Sequence, residues 1–267
     1  MNQASSSNLQ RACYALATIG TVLALLILAT SLLLRLATQA TLDGHTESVL
    51  APAIEQASRM VHRLSASSVG VLALLALLMC FRKPGLGPCM KQAIAWVLVT
   101  TVGLAVIGPL TPGYRIEAIT VFNVALGSLL LMGFWSLREF TRATRERPKP
   151  LTRIALLTLA ALVLHIATGA GAAANSQWFH QRDWAVWLHV ASAVSFIVCM
   201  VFFLRQRRPN RGAPLVKAWR YLLISQFLLG GLLVVLSLRP IWLNFSHGIV
   251  SALIAMVLLT LMLRQSD

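Results

Sequence analysis

Apolar residues run along this chain in long blocks, not in the alternations of half-buried strands. A helix that crosses a bilayer needs roughly 20 mostly apolar residues. Eight blocks reach or approach that length: Ala12–Arg35, Leu64–Phe81, Ala93–Leu110, Ile116–Leu137, Ile154–Ala174, Trp184–Leu204, Trp219–Leu238 and Ile241–Leu263. The second is short as bounded by its apolar residues, and its helix is expected to begin earlier, near Ala53. The first is too long for a signal peptide. Its basic start is limited to Arg11, and Ala37-Thr38-Gln39-Ala40 is a weak cleavage site. The expected fold class is all-α: a polytopic membrane protein of eight transmembrane helices.

Composition sharpens this reading. Of 267 residues, 57% are hydrophobic and 12% charged, and mean hydropathy is +0.74. A soluble domain of this length needs more charge to cover its surface. The net charge of +15 raises nucleic acid binding as a possibility, but the basic residues sit in short tracts between apolar runs, and no aromatic-interleaved basic patch occurs. Nucleic acid is therefore excluded and membrane lipid is the expected surroundings. The Lys/Arg bias orients the spans. With the N-terminus inside, 17 of the 23 basic residues fall in the cytoplasm, including the tracts Arg138–Arg153 and Arg205–Arg220. Both termini are then cytoplasmic, as expected for a protein of the bacterial cytoplasmic (inner) membrane. Trp178, Trp184, Trp187 and Trp242 mark the outer interface, and Trp96, Trp135 and Trp219 the inner one. Cys13, Cys80, Cys89 and Cys199 avoid the outer loops. Cys80 and Cys89 lack the Cys-x-x-Cys spacing of a redox or metal pair, so all four read as ordinary thiols.

The Arg/Pro-rich stretch around Arg145-Glu146-Arg147-Pro148-Lys149-Pro150 divides the chain. Residues 1–140 form an N-terminal four-helix half, 141–153 a basic cytoplasmic linker, and 154–267 a C-terminal four-helix half. Four spans are an even number, so both halves enter the membrane in the same direction, and a duplication would be a parallel repeat. His62-Arg63-Leu64-Ser65-Ala66 and His189-Val190-Ala191-Ser192-Ala193 share His-x-x-Ser-Ala at an offset of 127 residues, while Asn123 and His247 sit alike in the last span of each half at an offset of 124. The architecture expected is two parallel four-helix repeats. Parallel repeats also occur in transporters, but the spans lack convincing midplane Gly/Pro interruptions.

Ionisable residues inside a span are costly and default to function. His62, His189 and His247 lie near the outer ends of even-numbered helices, and His165 near the middle of the fifth. His45 and His180 fall in outer loops, where a solvated histidine is expected. Heme iron in a helical bundle is commonly held by two imidazoles from facing helices. His189 and His247 lie six to seven residues into their helices, about 10 Å deep at roughly 1.5 Å per residue, so a bis-histidine heme site is allowed. Two histidines hydrogen-bonded across the bundle is the alternative. In the first half His62 is matched by Asn123, a poor iron ligand that also serves as interhelical glue in membranes. His165, with no partner evident at its depth, reads as a core histidine hydrogen-bonded to a neighbouring helix. Arg35, Arg63 and Arg239, at outer helix ends, suit either heme propionates or lipid headgroups.

These residues resemble the heme A synthases over nearly the full length. The resemblance rests on Leu34-Arg35-Leu36 ending the first helix, His62-Arg63-Leu64 opening the second, Ser225-Gln226-Phe227-Leu228-Leu229-Gly230-Gly231 in the seventh, and Pro240-Ile241-Trp242 before His247. It implies an oxidoreductase that oxidises the C8 methyl of heme o to a formyl group, for cytochrome oxidase biogenesis. Heme b would be the cofactor, with His189 and His247 as its ligands. Heme o would be the substrate in the first half, where His62, Asn123 and Glu55 are the catalytic candidates, and His62 is a further iron ligand. Arg35, Arg63 and Arg239 would be cofactor-binding. An electron donor is implied, and heme o synthase or cytochrome oxidase subunits are candidate partners. The sequence departs from that pattern at Asn123, where the family has histidine, and at Arg59, where it often has glutamate. Glu55 lies two turns from His62 on the same helix face. A non-catalytic heme b protein for electron transfer or oxidase assembly is the alternative.

Overall fold

The computed structural model describes residues 3–42, 52–82, 86–110, 117–142, 152–174, 183–207, 214–236 and 241–264. They form eight helices, α1 (Gln3–Leu42), α2 (Pro52–Arg82), α3 (Pro88–Ile107), α4 (Glu117–Arg142), α5 (Arg153–Ala174), α6 (Asp183–Arg207), α7 (Pro214–Val235) and α8 (Ile241–Leu263), with a 3-10 turn at Gly108–Leu110 after α3. Each contains a stretch of 20 to 29 residues long and apolar enough to cross a membrane. In hydrocarbon no water is present to satisfy backbone N–H and C=O groups, so an apolar stretch of this length folds as helix. The chain is an all-α, multi-pass membrane protein.

Helix starts follow local chemistry. Pro88 and Pro214 open α3 and α7, where the missing N–H costs nothing. Before α5, Thr152 accepts a bond from the Ala155 N–H at 3.4 Å. Several helices outrun their apolar blocks. α2 begins at Pro52, as the short second block required. α4 continues through Arg142, so the linker expected from residue 141 starts later, and α5 already begins at Arg153. α7 starts at Pro214 and ends at Val235, a shift of its expected bounds toward the basic tract.

α4 and α8 form the centre. Within their apolar windows 44% of residues are buried, against 17% to 33% in the other six. One core lies among α1 to α4, where the fully buried Phe134 packs on Gly20 of α1. A second lies among α5 to α8 around Met200, Phe203, Leu258 and Met262. α8 reaches into the first core with Ala252 and Met256, and α4 into the second with Met132.

The two groups of four pack differently. α1 lies along both α2 and α4, and α3 along α4, closing the first group. In the second, α5 pairs with α6 and α7 with α8, but α5 barely meets α8 and α6 packs extensively only on α5. The α5–α6 and α7–α8 pairs therefore stand apart on the side that carries the histidines. The opposite end is locked. Glu139 of α4, 3% exposed, accepts bonds from Arg138 Nη1 at 3.0 Å and from Arg264, just beyond α8, at 2.6 and 3.2 Å. Arg138 also donates to the Tyr14 hydroxyl at 3.0 Å and lies over the Tyr14 and Trp135 rings. These contacts tie together α1, α4 and α8.

Candidate functional site

His189 of α6 and His247 of α8 reach toward each other across the gap between the two helix pairs. Their ring centres are 6.1 Å apart and their planes cross at 75°. Each ring is oriented by a polar side chain on the preceding helix. Thr168 Oγ1 of α5 lies 3.3 Å from His189 Nδ1, and Gln226 Nε2 of α7 lies 3.0 Å from His247 Nε2. Gln226 also donates to Ser251 Oγ at 2.6 Å, and that hydroxyl donates to the His247 carbonyl at 3.0 Å.

Glycines let the rings in. A Cβ added at Gly169 would stand 2.8 Å from His189 Cε1, and one added at Gly230 would stand 3.2 Å from His247 Cε1. Gln226 and Gly230 are one turn apart on α7, so the Gln-x-Leu-Leu-Gly spacing places an orienting amide and a packing notch on one face, both against His247.

His165 of α5 joins this cluster. Its ring lies flat on His189, with centroids 4.3 Å apart and 5° between planes, and Phe196 lies parallel on it at 6.3 Å and 3°. His165 Nδ1 is 3.2 Å from Ser192 Oγ of α6, as expected of a core histidine bonded to a neighbouring helix. It does have a partner at its depth, however. α5 and α6 are antiparallel neighbours, and three residues of helix, roughly 4.5 Å, are within the reach of a side chain. Ser192 and Thr168 are 2.8 Å apart, completing a hydroxyl pair between the two imidazoles.

A cavity of about 1050 Å³ connects this cluster to the first group of helices. It lies at the upper end of the ~300–1,000 Å³ typical of ligand sites. His62 and Asn123 line it, as do His165, His189 and His247, with Arg35 and Arg63 among the other lining residues. His62 Nδ1 is 3.2 Å from Thr30 Oγ1 of α1, again a hydroxyl on the preceding helix. Glu55 is not brought to this site. It pairs with Arg59, one turn on, at 2.5 Å on an exposed face, and it does not line the cavity. Arg239, His45 and His180 lie outside the described residues. In the sequence Ser192 marks only the His-x-x-Ser-Ala repeat and Gln226 only the α7 motif, and Thr168 carries no reading, so none of the three is expected to orient a histidine. The available signal was their position within one helical turn of His165, His189 or Gly230.

The donor set can be tested against heme. A bare metal ion bound by protein alone needs about four ligands. Among the described residues no group of three or more His, Cys, Asp or Glu is placed to hold one. Two imidazoles suit an iron that brings its own equatorial nitrogens. His189 and His247, with ring centres 6.1 Å apart, are the residues that would hold such an iron. Both histidines have one nitrogen engaged by a neighbouring helix. On His247 the other, Nδ1, is buried and meets no hydrogen-bond partner among the described residues, and the same holds for Gln226 Oε1. Buried polar atoms in that condition are uncommon unless water or a bound group meets them, and one engaged and one open nitrogen is the pattern of a ligating histidine. The residues fit a heme. No family model, no characterised protein sequence and no solved structure was found to match this chain.

Proposed function

We propose that this chain is a heme A synthase-type oxidoreductase of the bacterial cytoplasmic membrane, with both termini in the cytoplasm and two parallel four-helix repeats. It would hold heme b between His189 and His247 and oxidise the C8 methyl of heme o to a formyl group. The observation that carries this reading is the 6.1 Å spacing of two imidazoles, each oriented from a neighbouring helix. The separation of the α5–α6 and α7–α8 pairs supports it, because the cavity lined by both His189 and His247 opens between them.

Bound heme iron would supply the one-electron and oxygen chemistry that side chains lack. The chain's own residues do the rest. Thr168 and Gln226 fix the tautomer and azimuth of the two ligands. The mostly apolar cavity wall excludes water from the reacting methyl. His62 and Asn123 face the substrate heme. Arg35 and Arg63, on the cavity wall, suit carboxylates through bidentate guanidinium contacts. Taking the methyl to a formyl group removes four electrons, so dioxygen as oxidant and an electron donor to activate it are both required, and heme o synthase or oxidase subunits are the candidate partners for substrate and product.

Two observations favour a second reading, a heme b protein without synthase activity: Asn123 stands where a second imidazole is needed, and Glu55 is held by Arg59 away from the cavity. Absorption spectra and extracted hemes of the purified protein, co-expressed with a heme o synthase in a host lacking heme A, separate the possibilities. A bis-histidine spectrum lost in His247→Ala, together with heme A in the extract, is expected. Heme b alone, with heme A gained in Asn123→His, selects the second reading. A protein with no Soret band after heme supplementation refutes both.

A further inference from the structure

We infer that His165 is a positioning residue that sets the plane of the His189 imidazole, and through it the near-perpendicular arrangement of His189 and His247. The inference rests on the heme reading above. A histidine ring turns about its Cβ–Cγ bond in a broad, roughly two-fold well, so a ligand's plane is undefined unless something flat or directional lies against it. Here the flat element is a stack of three rings. Phe196, His165 and His189 lie parallel within 3° and 5° of one another.

The stack is itself anchored. Phe196 is 4% exposed, His165 8% and Ser192 4%. Ser192 Oγ meets His165 Nδ1 at 3.2 Å, Thr168 Oγ1 at 2.8 Å and the His189 carbonyl at 2.7 Å. Gly169 closes the space beside His189, where even a methyl would collide with the ring. His189 therefore cannot rotate without unstacking from His165. His247 is held separately by Gln226, and the resulting angle is 75°. If His189 and His247 held a ferric low-spin heme, the angle between their planes would set its spectrum, the largest g value rising as the two planes approach perpendicular. The geometry would thus be written into a spectrum, independently of turnover.

The test is low-temperature electron paramagnetic resonance of the heme-loaded, ferric full-length protein. Wild type is expected to give a large maximal g value. His165→Phe, which keeps a flat ring against His189, should retain it. His165→Ala should lower and broaden it, and should lose heme about 10-fold faster, at the low end of the ~10–100-fold effect of outer-shell ligand partners. Ser192→Ala, a smaller change, provides the same test if His165→Ala fails to accumulate, with a shift in the same direction. A His165→Ala signal identical to wild type overturns the inference, as does a His165→Phe signal displaced as far as that of His165→Ala. A wild-type protein that takes up no heme overturns the functional reading and this inference together, whereas a loaded wild type indifferent to residue 165 overturns the inference alone.

Discussion

Replacing Gly169 by alanine adds one methyl group at the tightest point of the histidine cluster. The new Cβ would lie 2.8 Å from His189 Cε1, 3.2 Å from Nδ1 and 3.4 Å from Nε2. A free side-chain tip would swing aside, but this ring is stacked on His165 and tied to Thr168. Overpacking of a rigid core costs about 1–3 kcal/mol. Alanine returns up to about 1 kcal/mol of helix propensity relative to glycine. The internal control is Gly171→Ala on the same helix, where among the described residues the added Cβ meets Val121 Cγ2 at an ordinary 3.6 Å. That variant should be neutral or slightly stabilised, so the difference between the two alanines is expected to be about 1–3 kcal/mol. Thermal unfolding in detergent, followed by loss of the monodisperse peak, measures it, and heme retention should fall in Gly169→Ala only. Equal midpoints and equal heme content for the two variants would refute the claim that His189 is rigidly seated.

Two further changes probe other parts of the bundle. Glu139→Gln removes the buried carboxylate between Arg138 and Arg264. Breaking a fully buried pair costs about 3–5 kcal/mol, and because Arg264 is 38% exposed a loss of about 2 kcal/mol is expected; chemical unfolding in mixed micelles measures it, and adding Arg264→Met should recover part of the loss. Gln226→Leu keeps volume but removes the amide facing His247 Nε2, so heme dissociation should accelerate about 10–100-fold while the helical circular dichroism spectrum stays unchanged.

The spans were legible because hydrocarbon imposes a single rule, that long apolar runs become helices. Their ends were less so. Helices such as α4 and α7 extend past their apolar blocks into basic tracts that hydropathy reads as loop. The meeting of His189 and His247 was legible from depth, since residues at equal height in facing helices can touch. Depth says nothing of azimuth, however, so the sequence shows the hydrogen bond to a neighbouring helix expected of His165 but not the ring of His189 on which it lies flat. The same limit hid the Glu55–Arg59 pair. A glutamate seven residues before His62 shares its face, but a guanidinium one turn away competes for it. The central position of α8 was not visible, because lipid-facing and helix-facing surfaces are equally apolar in membranes and leave little amphipathic stripe to read.

The central place of α8 also bears on how the molecule comes together. Ribosomes deliver helices in order, and α8 follows the other seven, yet it fills the middle of the bundle and joins the cores on both sides of it. Until it enters, α1 and α4 lack a neighbour, Glu139 lacks Arg264, and the histidine cavity lacks His247. Contacts this distant along the chain form slowly, so on the proposed reading a heme held between α6 and α8 would be captured after synthesis, by a nearly finished scaffold. Truncation before α8 would leave a membrane-inserted but colourless intermediate.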